Sequence, residues 1–154
     1  RGAVALNCAG CRRAERHLHD DPPTPAQTAA VVADATATLD RAQLTVPLGT
    51  AATLVGVAGT VTTVAALAAG LPEYDAERIH GSRTSAAAVA DVTAKLLVMT
   101  HDERAALPVM HPGRVDVIGA GALVLRTLVE RVGAAEVVAS EHDILDGIAL
   151  SLAD

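Results

Sequence analysis

Thr53-Leu54-Val55-Gly56-Val57-Ala58-Gly59-Thr60-Val61-Thr62-Thr63-Val64-Ala65-Ala66-Leu67 is the stretch that decides the fold. Its first five residues read as a short buried strand. Gly59 ends the strand and Thr60 opens an Ala-rich helix. Gly70 suits the position just past that helix, before Leu71-Pro72. A strand running into glycines and then a threonine-rich helix start suits phosphate. Glycine lets an anion approach the backbone, the first helical N–H groups are free, and threonine hydroxyls add donors. Gly56, Gly59, Thr60, Thr62 and Thr63 are therefore the candidate phosphate contacts. The same residues also suit an ordinary strand-to-helix turn with threonine caps. The run is not a Walker A loop, because no Lys follows, and it is not a full G-x-G-x-x-G.

The stretch lies inside an uncharged segment, Ala42 to Pro72, long enough to span a bilayer. Pro47, Pro72, Gly49, Gly56, Gly59 and Gly70 interrupt that segment, and its apolar residues fall into two blocks. A buried strand followed by a buried helix is the expectation, with no membrane span.

Upstream, residues 2–7 read as a short extended piece and Cys8 to Arg16 as a turn with a basic stretch. Asp20 to Pro25 is a linker. Thr24 and Pro25 begin a helix over 25–43, with Ala29, Val32, Thr36 and Leu39 expected on its buried face. Downstream, residues 72–84 read as loop, with an extended piece near Arg78 to His80. Thr84 or Ser85 caps a helix to about Met99, and Thr100 with Glu103 opens a short one. A long helix is expected over 114–132, ending at Gly133. Glu136 to Ser140 reads as a second apolar strand, and Asp143 caps a last helix over 144–153. The order gives a helix-rich α/β fold around a parallel pair of short strands.

Composition narrows the function classes. Of 154 residues, 51% are hydrophobic and 19% charged, which supports a packed core over disorder. Aromatics are 1%, so stacking platforms for single-stranded nucleic acid are lacking. The net charge of −6 disfavours non-specific binding to nucleic acid or anionic membrane. It does not exclude an anion pocket built from backbone N–H groups.

Several other groups carry candidate chemistry. Cys8-Ala9-Gly10-Cys11, with His17 and His19, has the residue types of a zinc or redox module. The two histidines are only two apart, and no βαβ setting surrounds the cysteines, so two partly buried thiols near a strand end are the plainer reading. His80-Gly81-Ser82-Arg83 and His111-Pro112-Gly113-Arg114 each place an arginine in a glycine-containing loop. Arg83 and Arg114 are thus further, weaker candidates for clamping an anionic chain, and on the pattern alone solvated loop arginines beside structural histidines are the plainer reading. Glu141-His142-Asp143 follows the last strand, at the end of an α/β sheet where ligands bind. It equally suits a helix N-cap.

These segments, in this order, resemble the exopolyphosphatase / guanosine pentaphosphate phosphatase family. The run Leu54 to Leu67 is similar to that family's second phosphate loop. Arg78-Ile79-His80-Gly81, Met110 to Ile118, Gly119 to Leu123, and Ser140-Glu141-His142-Asp143 with Asp146-Gly147 extend the likeness. It runs from about Gly10 to the C-terminus.

The resemblance implies an actin-like, ribonuclease-H-like fold of two lobes, with phosphates bound in the cleft between them. Residues 1–154 resemble part of the second lobe only. The first lobe, with the glutamate expected to activate water, has no counterpart here. Nor does the Asp-x-Gly-Gly-Gly-Ser loop that opens the second lobe. No catalytic residue and no metal ligand is therefore assigned in this chain. The resemblance implies magnesium held mostly by residues outside it. The implied substrates are inorganic polyphosphate or guanosine pentaphosphate, and the implied partner is the first lobe of the same protein. It further implies a cytoplasmic setting and leaves a homodimer of the full protein open. A non-catalytic phosphate- or nucleotide-binding module is the alternative of a different class. The implied lobe has a sheet ordered 3-2-1-4-5, of which this chain supplies strands 3, 4 and 5, and the absence of strands 1 and 2 implies an open sheet edge, with marginal stability or aggregation of the isolated chain.

Overall fold

The computed structural model describes Ala14 and residues 16–152. The expectations for residues 2–7 and for Cys8 and Cys11 lie outside the described residues. Ala14, Arg16 and His17 are helical rather than part of a turn.

Helix α1 spans Pro25–Gln43. Thr24 caps it, and Gln27 completes the reciprocal box. The buried face is Val31, Ala35, Thr38, Leu39 and Ala42. The expected face shared only Leu39 with it. Val31, Ala35, Leu39 and Ala42 recur at helical spacing, and this stripe is the one that packs on the long helix downstream.

Strand β1 is Val55–Val57, and helix α2, Ala58–Ala68, follows without a loop. A short helix α3, Ala76–Ile79, starts at Asp75, whose carboxylate accepts from the N–H groups of Glu77 and Arg78. This corrects the extended piece expected near Arg78 to His80. Ile79 is buried and anchors that turn in the core. The extended segment comes later, as strand β2, Arg83–Ser85.

Ser85 caps helix α4, Ala86–Val98, and Thr100 caps helix α5, His101–Ala105, with Glu103 returning the bond. Pro112–Arg114 form one 3-10 turn, with the His111 ring accepting from the Gly113 N–H. The long helix, α6, therefore spans Ile118–Val132 and starts four residues later than expected. It stops at Gly133, whose φ of +71° only glycine adopts without strain. Strand β3 is Glu136–Ser140 and helix α7 is Ile144–Ser151.

The sheet order is β1-β3-β2. β1 runs parallel to β3, with Val55, Gly56 and Val57 opposite Val138, Ala139 and Ser140. β2 runs antiparallel to β3, pairing Arg83 with Val138 and Ser85 with Glu136. The parallel pair matches the sequence expectation, and the antiparallel edge adds to it. α2 packs on β3 and meets α4 and α6, while α1 covers α6. Ile79, Leu96, Ile118, Leu123 and Val137 fill the interior. The core is aliphatic, as a chain without Phe or Trp requires.

Elsewhere, apolar side chains are exposed among the described residues. Among the described residues β1 has one neighbour only, and its Val55 is 55% exposed. α7 presents Ile144 and Leu145 at 76% and 69% exposure. Among the described residues no helix is long and apolar enough to cross a membrane.

Candidate functional site

The β1–α2 junction has three properties that suit an anion. First, Ala58 sits in the left-handed region, at φ +69°. A non-glycine residue there costs roughly 1–2 kcal/mol, and such strain gathers at ligand sites. Second, no side chain caps α2, so its leading N–H groups are not taken by a cap. Third, a guanidinium lies over the turn. A Cβ added to Gly59 would fall on the Nε, Cζ and Nη2 atoms of Arg114.

Each neighbour fixes this arrangement. Gly56 has no room for a Cβ, which would come within 2.8 Å of the Val61 methyls. Gly121 on α6 admits the Thr60 side chain, because a Cβ there would lie 2.6 Å from its Oγ1. Thr62 and Thr63 are buried. Arg114 donates from Nη1 to Thr63 Oγ1 at 3.0 Å. The turn Pro112–Arg114 therefore delivers the arginine, and α2 receives it.

Tyr74, in the loop before α3, closes the group. Its hydroxyl lies 2.7 Å from Thr62 Oγ1 and 2.7 Å from Glu141 Oε1. A carboxylate only accepts, so the phenol donates to Glu141 and takes the Thr62 hydroxyl as donor. Arg114 Cζ stands 5.8 Å from the ring centroid, within cation–π range. Burial pushes the phenol above its ordinary value of 10.0, and the Glu141 bond adds to that rise. Bonds from Thr62 and Arg114 oppose it. The loop after β3 is tied in further, since the Glu141 N–H donates to His80 Nδ1 at 3.3 Å. The His80 and His142 rings meet edge to face at 4.7 Å.

The structure thus brings Gly56, Gly59, Thr60, Thr62, Thr63 and Arg114 together. It does not bring Arg83 to them. Arg83 forms an ion pair with Glu136, at the far end of β3 from the Val57–Ser140 pair. The Glu141-His142-Asp143 triplet divides. Glu141 joins the site, whereas Asp143 caps α7 with Asp146. The Asp146 carboxyl is lowered, chiefly by the Asp143 N–H that it accepts, with His142 adding to this.

The sequence reading missed Tyr74. A lone tyrosine in Pro72-Glu73-Tyr74-Asp75 has no periodicity to mark it. Its being the chain's one aromatic outside histidine was the available signal. Beside it, Met110, His111, Pro112 and Arg114 line a cavity of ≈ 310 Å³. A larger cavity, ≈ 580 Å³, lies away from the loop, between His19, Asp21, His101, Arg104 and Asp116. Among the described residues no group of three or more His, Cys, Asp or Glu could hold a metal ion.

A helix-rich lobe with a small mixed sheet, a parallel βα junction and an arginine over the turn defines an α/β lobe with a candidate anion site. Solved structures bear out the fold. The Ppx/GppA phosphatase of Aquifex aeolicus, type II variant, superposes with a TM-score of 0.88 at 22% identity, over 98% of this chain and 49% of that one. An exopolyphosphatase-like protein superposes at 0.94 with 44% identity, over 97% of this chain and 50% of that one. Exopolyphosphatase 2 of Mycobacterium tuberculosis is 51% identical over 149 residues, 94% of this chain and 47% of its own length. The family pattern matches residues 6–154, and the chain belongs to the Ppx/GppA phosphatase family. It spans about half the length of the relatives it matches.

Proposed function

We propose that this chain forms one wall of the phosphate site of an exopolyphosphatase-type phosphoanhydride hydrolase, which releases terminal phosphate from inorganic polyphosphate. The observation that carries the reading is Arg114, held over Gly59 at an uncapped helix start. Among the described residues it has no carboxylate within ion-pair distance. Two named relatives, at 51% and 44% identity, are an exopolyphosphatase and an exopolyphosphatase-like protein, which supports this activity over guanosine pentaphosphate hydrolysis.

In the proposed reaction water attacks the terminal phosphorus. The bond to the bridging oxygen breaks, and the shortened chain leaves with that oxygen. Developing negative charge is met by donors already in position. The α2 N–H groups would bind the phosphate oxygens and Arg114 would neutralise one of them. Thr62 and Thr63 act from behind, as buried hydroxyls that fix Tyr74 and Arg114. Activation of water is assigned to the other lobe of the full protein. Magnesium belongs to the same proposal. The described residues contain no cluster to hold it, and its ligands are assigned to the rest of the full protein. A cytoplasmic setting also belongs to the proposal.

The test is phosphate release from polyphosphate and from guanosine pentaphosphate, with magnesium, by this chain alone and joined to an upstream lobe. Release by the joined protein alone, with polyphosphate preferred, is the expected result. Replacing Arg114 by Ala should then lower kcat/KM at least tenfold, about 1.4 kcal/mol of transition-state binding. Release by the 154 residues alone would mean that the group activating water lies within them.

A further inference from the structure

Tyr74 touches three groups of the site, yet the proposed chemistry gives it no task. Its ring lies under Arg114 and its hydroxyl meets Thr62 and Glu141. If Arg114 is to receive phosphate, its natural competitor is Glu141. A guanidinium and a carboxylate pair readily, in a bidentate fork. Both contact the same tyrosine, Glu141 at the hydroxyl and Arg114 over the ring and near enough to the hydroxyl to lower its pKa, and the two do not form an ion pair. Arg114 spends Nη1 on Thr63, and Glu141 Oε1 accepts from the phenol.

We infer that Tyr74 is the positioning residue of this anion site: its ring carries Arg114, its hydroxyl detains Glu141, and the guanidinium is left for phosphate. The inference rests on the anion-binding reading above. The phenol is suited to the task. A phenol at its ordinary value of 10.0 is already protonated at neutral pH, and burial pushes it higher still, so it keeps donating. Tyr74 is also tied from behind by Thr62, which is itself buried. The phenol cannot drift with Glu141 toward Arg114 without losing that bond.

The experiment is calorimetric titration of the chain with inorganic tripolyphosphate. The wild type and Arg114→Ala test the underlying reading. No binding, or binding indifferent to Arg114→Ala, overturns the anion site itself and the inference with it. Given that site, Tyr74→Phe and Tyr74→Phe with Glu141→Gln decide the role of Tyr74. Phenylalanine keeps a ring under Arg114 but frees Glu141 to pair with it. Affinity should fall roughly fivefold, the size expected of a solvent-exposed Arg–carboxylate pair. Adding Glu141→Gln removes the competitor and should restore affinity to within about twofold of wild type. An unchanged Tyr74→Phe variant overturns the inference. So does a double variant no better than Tyr74→Phe, since a purely structural tyrosine would not be rescued at Glu141.

A second readout needs no ligand. The chain has one Tyr and no Trp or Phe, so its near-ultraviolet emission reports Tyr74 alone. A phenol donating to a carboxylate is quenched. Glu141→Gln should raise that emission in the unliganded protein. No rise would mean that Tyr74 does not hold Glu141 in solution, and the inference fails.

Discussion

The two sides of the small sheet differ sharply. On one side α2, α4 and α6 bury Val64, Val89, Ile118 and Leu123 almost completely. On the other, among the described residues, β1 is paired along one edge only and α7 contributes no buried residue. Both sides are built from the same Ala, Val, Leu and Ile. Composition therefore does not separate a finished interior from an unfinished one. What separates them is whether a second layer within the described residues covers the apolar atoms.

This contrast can be broken by paired substitutions. Ile118→Ala leaves a cavity among fixed neighbours and should cost about 3 kcal/mol. Leu145→Ser with Ile144→Ser removes apolar atoms that touch water already, and should cost under about 0.5 kcal/mol. Urea unfolding of both variants checks this. The α7 variant should also be less prone to self-association, because exposed apolar surface invites association. Equal destabilisation by the two would mean that α7 is packed in solution. Lower sedimentation coefficients for the α7 variant would sharpen the contrast.

A smaller effect is expected where the chain before α1 meets α5. Arg104 is buried, and it donates to the carbonyls of Val115 and Met99 and to the Asp21 carboxylate at 2.8 Å. The His101 N–H holds the Asp21 carboxyl below its ordinary 3.8, with Arg104 adding to this against some desolvation. The folded value is thus below the unfolded one. This contribution is present above pH 3.8 and is lost as the pH falls through the folded value. Asp21→Asn should cost about 1 kcal/mol at neutral pH. Its stability should also decline less between about pH 5 and about pH 2 than that of the wild type. Thermal melts across that range measure both, and parallel curves would remove Asp21 from the account.

Legibility from sequence followed the range of the interactions. Thr24, a cap at Thr84 or Ser85, and Thr100 with Glu103 were readable because each cap joins residues three apart, and the structure adds Gln27 and selects Ser85. The β1–α2 turn was readable because glycine and threonine report backbone needs locally. Strand β2 was not. Arg83-Thr84-Ser85 has no apolar alternation, and its extended form comes from pairing with β3, more than fifty residues away. The buried face of α1 was displaced for the same reason, because α6 chooses it. Arg114 was found by residue type, while Arg83 shared that type and landed elsewhere. Tyr74 and Glu141 are 67 residues apart, and no local pattern links them.

Ala58 gives a small expected effect and the closest test of the junction. Its φ of +69° is imposed where β1 turns into α2 with no loop between them. Glycine would meet that angle without a Cβ clash. Ala58→Gly should therefore relieve strain, offset in part by the greater entropy glycine brings to the unfolded chain. A net gain of about 0.5–1 kcal/mol is expected, seen as a modest rise in Tm. Tripolyphosphate affinity should stay within about twofold, because the N–H groups of the first turn keep their direction. A loss of stability on Ala58→Gly would mean that the turn relaxes to an ordinary φ in solution. The free N–H array would then be a feature that the ligand, and not the fold, creates.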